Sequence, residues 1–313
     1  MKPTGSAGLM NTCNHGVKSS GGAAVVHQNT NVKSAVAARL RSIWPSLLDT
    51  IFPPKCLVCL RLFQPASASP TINCLTRSVS KITELLPQTH RWLSALCCPE
   101  CVAALTTISE PLCPCCGMMF NQPQNDEHLC GDCIAQPKKF RMARAAMVYD
   151  QQSMAIIHRF KYAGKTQLAR PFGGLLLNTY LRYWQHEAID LILPVPLHNQ
   201  KFRYRGFNQS YLMVDRWKTI SALNPLAASH TRLETDVLSR SKATVPQTGL
   251  GRRQRLKNVR GAFSVRLPEM VYGRKILVVD DVYTTGATVD ECARSLLAAG
   301  AAQVDVLTLA RAV

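Results

Sequence analysis

The chain has 313 residues, 47% hydrophobic and 18% charged, which suits one substantial core plus a smaller module. Its 37 Lys and Arg against 19 Asp and Glu leave a formal net charge of +18, which points to anionic partners, a pyrophosphate-bearing small molecule and nucleic acid both qualifying. No apolar run approaches the roughly 18 residues of a membrane span and no basic start leads into an apolar core, so the chain reads as cytoplasmic, and its 13 cysteines favour metal over disulfides.

Residues 1–34, rich in Ser, Gly, Asn and Ala, read as a disordered leader or an overlong start, Met10 being an alternative start. Over 35–51 the apolar residues Val36, Leu40, Ile43, Leu47 and Leu48 recur at helical spacing, a docking helix interrupted by Pro45. A cysteine-rich module follows, with C-x-x-C pairs at Cys56/Cys59, Cys98/Cys101, Cys113/Cys116 and Cys130/Cys133. Two thiolates so spaced can grip one tetrahedral zinc from a single turn, and two such knuckles complete a closed structural site, so the pairs predict one or two Zn²⁺ in a double zinc-ribbon-like module over 35–140. Which pair joins which is open; Cys97 and Cys115 adjoin pair members, and His128 reads as a surface histidine. An insertion over about 64–91 separates the first pair from the rest.

From 141 to 313 strands and helices alternate, which predicts a parallel sheet flanked by helices. Ala145, Met147 and Tyr149 alternate like a strand; 154–162 reads as a helix presenting Arg159 and Lys161; 168–183 is a second helix, 190–195 a short apolar strand closed by Pro194 and Pro196, and 304–309 the last strand. The loop after Pro196 carries Lys201, Arg203 and Arg205 with no local acid, either a solvated loop or guanidinium forks facing phosphate oxygens. Residues 240–266 hold eight basic and no acidic side chains among three glycines, the composition of a mobile lid over a charged ligand or of a nucleic-acid-binding loop.

The most informative stretch is 276–291, ILVVDDVYTTGATVDE. Ile276 to Val279 read as a buried parallel strand, with Asp280 and Asp281 at its carboxyl end, where open α/β sheets place ligands. Thr284, Thr285, Gly286, Ala287 and Thr288 follow; a positive φ at Gly286 lets N–H groups and hydroxyls wrap a phosphate at a helix start. Thr288 with Glu291 has the form of a capping box, and Gly300 of a helix stop. Adjacent carboxylates suit vicinal ribose hydroxyls, directly or through Mg²⁺, so a 5-phosphorylated ribose fits both halves. Neither G-x-x-x-x-G-K-[ST] nor G-x-G-x-x-G is present, which leaves nucleoside triphosphates and dinucleotides without support.

VVDDVYTTGAT resembles the phosphoribosyl-pyrophosphate (PRPP) motif of type I phosphoribosyltransferases. With FPPKCLVC at 52–59, FKY at 160–162, PVPLH at 194–198, RGFNQS at 205–210 and the spaced Gln247, Leu250, Arg255, Asn258 and Phe263, the chain is similar to the ComF group of that superfamily, which includes the GntX-type proteins. The resemblance implies an α/β type I phosphoribosyltransferase fold with a small N-terminal zinc module. It implies that Asp280 and Asp281 engage the ribose, that 284–288 hold the 5-phosphate, and that Leu197, His198 and Lys201 belong to the pyrophosphate loop. Arg205, Gln247 and Arg255 join the two acids as catalytic candidates, Gln247 and Arg255 in a flexible loop, and Arg205, Gly206, Phe207, Asn208 and Gln209 form the family motif. The implied ligands are PRPP with Mg²⁺ and an acceptor nucleophile, covered by the zinc module. Two classes stay open: a phosphoribosyltransferase of nucleotide salvage or DNA uptake, and a non-catalytic PRPP-binding accessory protein that meets single-stranded DNA or DNA-uptake proteins.

Overall fold

The computed structural model describes residues 54–64, 92–120, 128–217, 231–242 and 252–313, with backbone alone at 252, 253, 255 and 256. The leader, the 35–51 helix, nearly all of the insertion and Gln247 lie outside the described residues.

Each cysteine knuckle is a tight turn followed by, or facing, one turn of helix: α1 is Pro99–Ala103 and α2 is Gly131–Ala135. Strand β1 (Ala143–Val148) leads into α3 (Gln151–Tyr162), started by a reciprocal cap in which Asp150 accepts from the Ser153 N–H and Ser153 Oγ from the Asp150 N–H. Helix α4 (Ala169–Trp184) passes into β2 (Leu191–Pro194), α5 (Asn199–Arg205) and α6 (Gln209–Val214). Strands β3 (Arg232–Leu233) and β4 (Leu238–Arg240) precede α7 (Arg252–Val259), β5 (Phe263–Val265) and α8 (Pro268–Val271); β6 (Lys275–Tyr283), α9 (Ala287–Ala298) and β7 (Gln303–Arg311) complete the described elements.

Five strands form one parallel sheet in the order β1-β7-β6-β2-β3. Central strands need apolar residues on both faces, and β6 supplies them with the period of two that a strand imposes. Leu277 and Val279 join Leu307 and Leu309 against α3 and α4, burying Ile156, Phe160, Tyr180 and Trp184. Ile276 and Val278 join Val304 and Val306 against α9, burying Val289, Cys292 and Leu296. Helix α4 admits close approach because it carries Gly173: a Cβ there would stand 2.4 Å from the Met213 carbonyl oxygen of α6. The knuckles join these cores on opposite faces, Cys56, Cys98 and Cys101 with the first and Cys113, Cys116, Cys130 and Cys133 with the second.

Three expectations change. Strand β6 does not stop at Asp280 but pairs with β7 through Tyr283, opposite Arg311. Strand β1 does not alternate: Arg144 is buried too, donating to the carbonyls of Pro114 and Ala143. The described ends of the basic stretch are ordered rather than loop, β4 and β5 pairing antiparallel and α7 lying between them.

Candidate functional site

Strand β2 leads to β3 on one side and β6 to β7 on the other, so the β2–β6 junction is the topological switch point of the sheet. The last β2 pairing is Pro194 with Val279, closed by the Val195 N–H donating to the Val279 carbonyl at 2.8 Å. Asp280 and Asp281 therefore emerge on a flank of β6 that β2 no longer covers, 8% and 5% exposed. Asp280 Oδ1 accepts the Ser210 hydroxyl at 3.1 Å and the Asp281 N–H at 2.9 Å. Burial, and then the neighbouring carboxylate, push the Asp280 carboxyl up to about 7. Asp281 Oδ1 pairs with Lys161 Nζ at 2.8 Å, while its Oδ2 is buried with no partner. Burial works against the Lys161 charge, but Asp281 and then Asp280 offset it and hold the ammonium above its ordinary range.

The RGFNQS residues build the frame around this pair. His198 caps α5 by accepting the Gln200 N–H at 3.3 Å, and Gly206, at φ 81°, ends it in the left-handed region that Cβ disfavours. Phe207 packs on Phe160. Asn208 caps α6 through the Ser210 and Tyr211 N–H groups and donates from Nδ2 to the Val195 carbonyl at 3.1 Å, tying that cap to the end of β2. Arg205 donates to Gln209 Oε1 and lies 5.2 Å from the Tyr162 ring centroid. Ser210 is the residue of the motif that reaches an acid.

A cleft of about 660 Å³ opens over these groups; Lys161, Leu197, Lys201, Arg205, Gln209, Arg240, Asp280, Asp281, Thr284 and Thr288 line it together with Tyr149, Met154, His158 and Tyr162. Burial, then Arg240, Arg205 and Lys161, lower the Lys201 ammonium; burial lowers Arg240, with Asp280 acting against it. Cations desolvated beside one another are stabilised by an anion in the cleft. Thr285, Gly286, Ala287, His198, Gly206, Phe207 and Asn208 stand behind the lining rather than in it. Arg255 lies on α7 with its backbone alone described. No described residue of the cysteine module, expected as the cover, lines the cleft; Tyr149, just after β1, and Met154, His158 and Tyr162 of α3 do. Lys161 and Arg240 were visible in the sequence only as members of a helix and of a basic run; their sole signal was a charge inside FKY and a charge at a strand end.

Behind Asp281, Gly286 takes φ 73° and starts α9 with no side-chain cap of its own, and Thr285 Oγ1 accepts the Ala287 N–H at 3.4 Å. Gly286 can hold no side chain: a Cβ would lie 2.3 Å from Tyr283 Oη. The expected capping box is absent. Thr288 lies inside α9, and Glu291 accepts instead from the Gly261 N–H at 2.5 Å and from Arg294 at 2.6 and 2.9 Å. The N-cap is Gly286, two residues before Thr288, so Glu291 stands beyond the position from which a side chain reaches back to a cap. Gly300, at φ 91°, follows α9 as its stop.

The cysteines fall into two clusters, Cys56, Cys59, Cys98 and Cys101, and Cys113, Cys116, Cys130 and Cys133, with the sulfurs of each within 4.8 Å of one another. Sulfurs on a tetrahedral zinc with 2.3 Å bonds stand about 3.8 Å apart, and Cys59 Sγ to Cys98 Sγ is 3.7 Å, Cys116 Sγ to Cys130 Sγ 3.4 Å. Both clusters therefore fit a metal ion held by four thiolates. Cys97 and Cys115 belong to neither, and His128 stacks on Phe120. Among the described residues no helix is long and apolar enough to cross a membrane.

A family model described as a phosphoribosyl transferase domain matches residues 224–312. The chain is 34% identical over 221 residues to the DNA utilization protein YhgH of Escherichia coli O6:H1, covering 68% of this chain and 89% of that protein. It is 30% identical over 206 residues to competence protein F of Haemophilus influenzae, covering 64% and 85%. To competence protein ComFC of Bacillus subtilis it is 29% identical over 229 residues, covering 68% and 83%. Together with the parallel sheet and the acids at its switch point, these likenesses place the chain in the ComF family of phosphoribosyltransferase-like proteins.

Proposed function

We propose that the cleft binds PRPP with Mg²⁺ and that the chain transfers the phosphoribosyl group to an acceptor nucleophile. The observation that carries this reading is the unpartnered Asp281 Oδ2, buried in a cleft that also holds Asp280 and the cations Lys161, Lys201, Arg205 and Arg240. A hydroxyl donor satisfies that oxygen, and an anion satisfies Lys201, Arg205 and Arg240; a sugar bearing pyrophosphate has both. In this reading Asp280 and Asp281 hold the ribose hydroxyls, Ser210 and Lys161 fix the two carboxylates, and 284–288 with the start of α9 hold the 5-phosphate. The carboxylate oxygens suit a hard divalent cation, and Mg²⁺ bound with the ligand supplies charge neutralisation at the pyrophosphate. As the C1–O bond breaks, pyrophosphate leaves with the electron pair towards the basic wall and the acceptor forms its bond to C1; the protein contributes position and preorganised charge. Zn²⁺ in both cysteine clusters is structural. Pyrophosphate release from PRPP and Mg²⁺ across a panel of nitrogenous acceptors tests the proposal. Release that Asp281→Asn abolishes supports it, and no release with any acceptor contradicts turnover.

A second reading is favoured by the names of the relatives, one DNA utilization protein and two competence proteins. Here the chain binds PRPP without turnover, and its basic surface meets single-stranded DNA during uptake or processing. Affinity for an oligonucleotide then falls steeply with added salt; no binding at low salt rules this reading out.

A further inference from the structure

Arg311 ends β7 as a cation only 3% exposed. Among the described residues it has no carboxylate partner; Nη1 donates to the Cys116 carbonyl at 2.6 Å and Nη2 to Cys116 Sγ at 3.3 Å. A buried guanidinium needs an anion, and a Zn²⁺ held by four thiolates carries a net charge of about −2, so the second cysteine cluster supplies that anion when metal is bound. On its other side the guanidinium lies 4.4 Å from the ring centroid of Tyr283, its register partner on β6. Phe140 meets that ring edge-on at 6.2 Å, and the hydroxyl end rests on Gly286, where an added Cβ would stand 2.3 Å from it. Metal centre, guanidinium, ring and loop glycine are thus in continuous contact.

We propose that Arg311 is a positioning residue that couples occupancy of the Cys113, Cys116, Cys130 and Cys133 centre to the shape of the 284–288 loop. Zinc at this centre fixes Arg311, Arg311 seats Tyr283, and Tyr283 sets Gly286, where the backbone turns into α9. Loss of metal at the second centre loosens the loop; loss at the first centre, which packs in the opposite core, does not. The proposal rests on the reading of 284–288 as a phosphate loop only for its functional consequence.

Hydrogen exchange of the 284–288 amides in the zinc-loaded chain is the direct test, with ribose 5-phosphate titration and zinc content measured on the same samples. Arg311→Met is expected to retain zinc at the first centre, to speed exchange of these amides roughly tenfold and to weaken ribose 5-phosphate roughly tenfold, the scale of lost outer-shell partners. Arg311→Lys, which keeps the charge without the fork, recovers part of both, a graded response that lost packing alone does not give. Unchanged exchange at 284–288 in Arg311→Met overturns the coupling. Accelerated exchange in a protein whose parent never binds ribose 5-phosphate leaves the coupling standing and removes the phosphate-loop reading. Should Arg311→Met fail to fold, the parent chain is compared before and after a chelator withdraws zinc from the second centre, as identified by a Cys56→Ser variant that lacks the first. Exchange indifferent to that withdrawal overturns the coupling equally.

Discussion

Asp281 spends one carboxylate oxygen on Lys161 and leaves the other buried and unpartnered, while Asp280 beside it is pushed up to about 7. Two adjacent acids thus meet different environments: one pairs with an ammonium, and the other is pushed up by burial and by its neighbour's carboxylate. The consequence for stability has a definite sign. Between the ordinary carboxylate range and about pH 7 the native chain keeps a proton on Asp280 that the unfolded chain has lost, so stability falls as pH rises through that window and levels off above it. Above pH 7 Asp280→Asn is expected to raise the unfolding free energy by something on the order of 2 kcal/mol, and to lose that advantage by pH 4; an equal gain at both pH values contradicts the assignment. Gly286→Ala meets both a left-handed backbone and the Tyr283 hydroxyl, and an unfolding titration should show a loss of about 1–3 kcal/mol. The two acids and Gly286 were legible in the sequence because neighbours along the chain carry their meaning. Lys161 and Ser210 were not, since each meets an acid across 120 and 70 positions respectively, and adjacency says nothing about such pairs.

At the level of elements, apolar runs and alternation made the strands and helices of 141–313 readable. What eluded the sequence was the choice of partners. The Thr288/Glu291 spacing satisfied a capping pattern, yet the N-cap is Gly286, and the carboxylate meets Arg294 and the Gly261 N–H. The two-residue spacing of the cysteines signalled knuckles, but only the fold joins Cys56 and Cys59 to Cys98 and Cys101, and Cys113 and Cys116 to Cys130 and Cys133. Elemental analysis of purified chain is expected to find two zinc ions, and Cys116→Ser to lower that to one while the first knuckle keeps its metal. A content of zero in undamaged protein contradicts the tetrathiolate assignment. The basic stretch over 240–266 looked uniformly loop-like because Lys, Arg and Gly mask the short β4 and β5 pairing; among its described residues Arg240, at the end of β4, is the one in the lining of the cleft.

Across the whole molecule, charge is sorted by position. Asp305, fully buried in β7, accepts from Arg141 at 2.6 and 2.9 Å and from the Trp184 indole at 2.8 Å, a satisfied set that locks β7 to α4 and stands outside the lining of the candidate cleft. Asp305→Ala leaves the indole without that partner and Arg141 with Glu187 alone, and is expected to cost about 1–3 kcal/mol in denaturant unfolding, with no specific change in ligand affinity per folded molecule. The cleft is the opposite case, with an oxygen unpartnered and cations crowded together, and that contrast separates the candidate site from structural charge. The measurement that bears most directly on it is calorimetric titration of the zinc-loaded chain with PRPP and Mg²⁺, beside the same titration of Asp281→Asn and of Lys201→Ala. Binding by the parent chain at one site, weakened at least about tenfold in both variants, is the predicted result. Absence of binding by the parent chain, or binding that neither substitution alters, contradicts the placement of PRPP in the cleft at the end of β6.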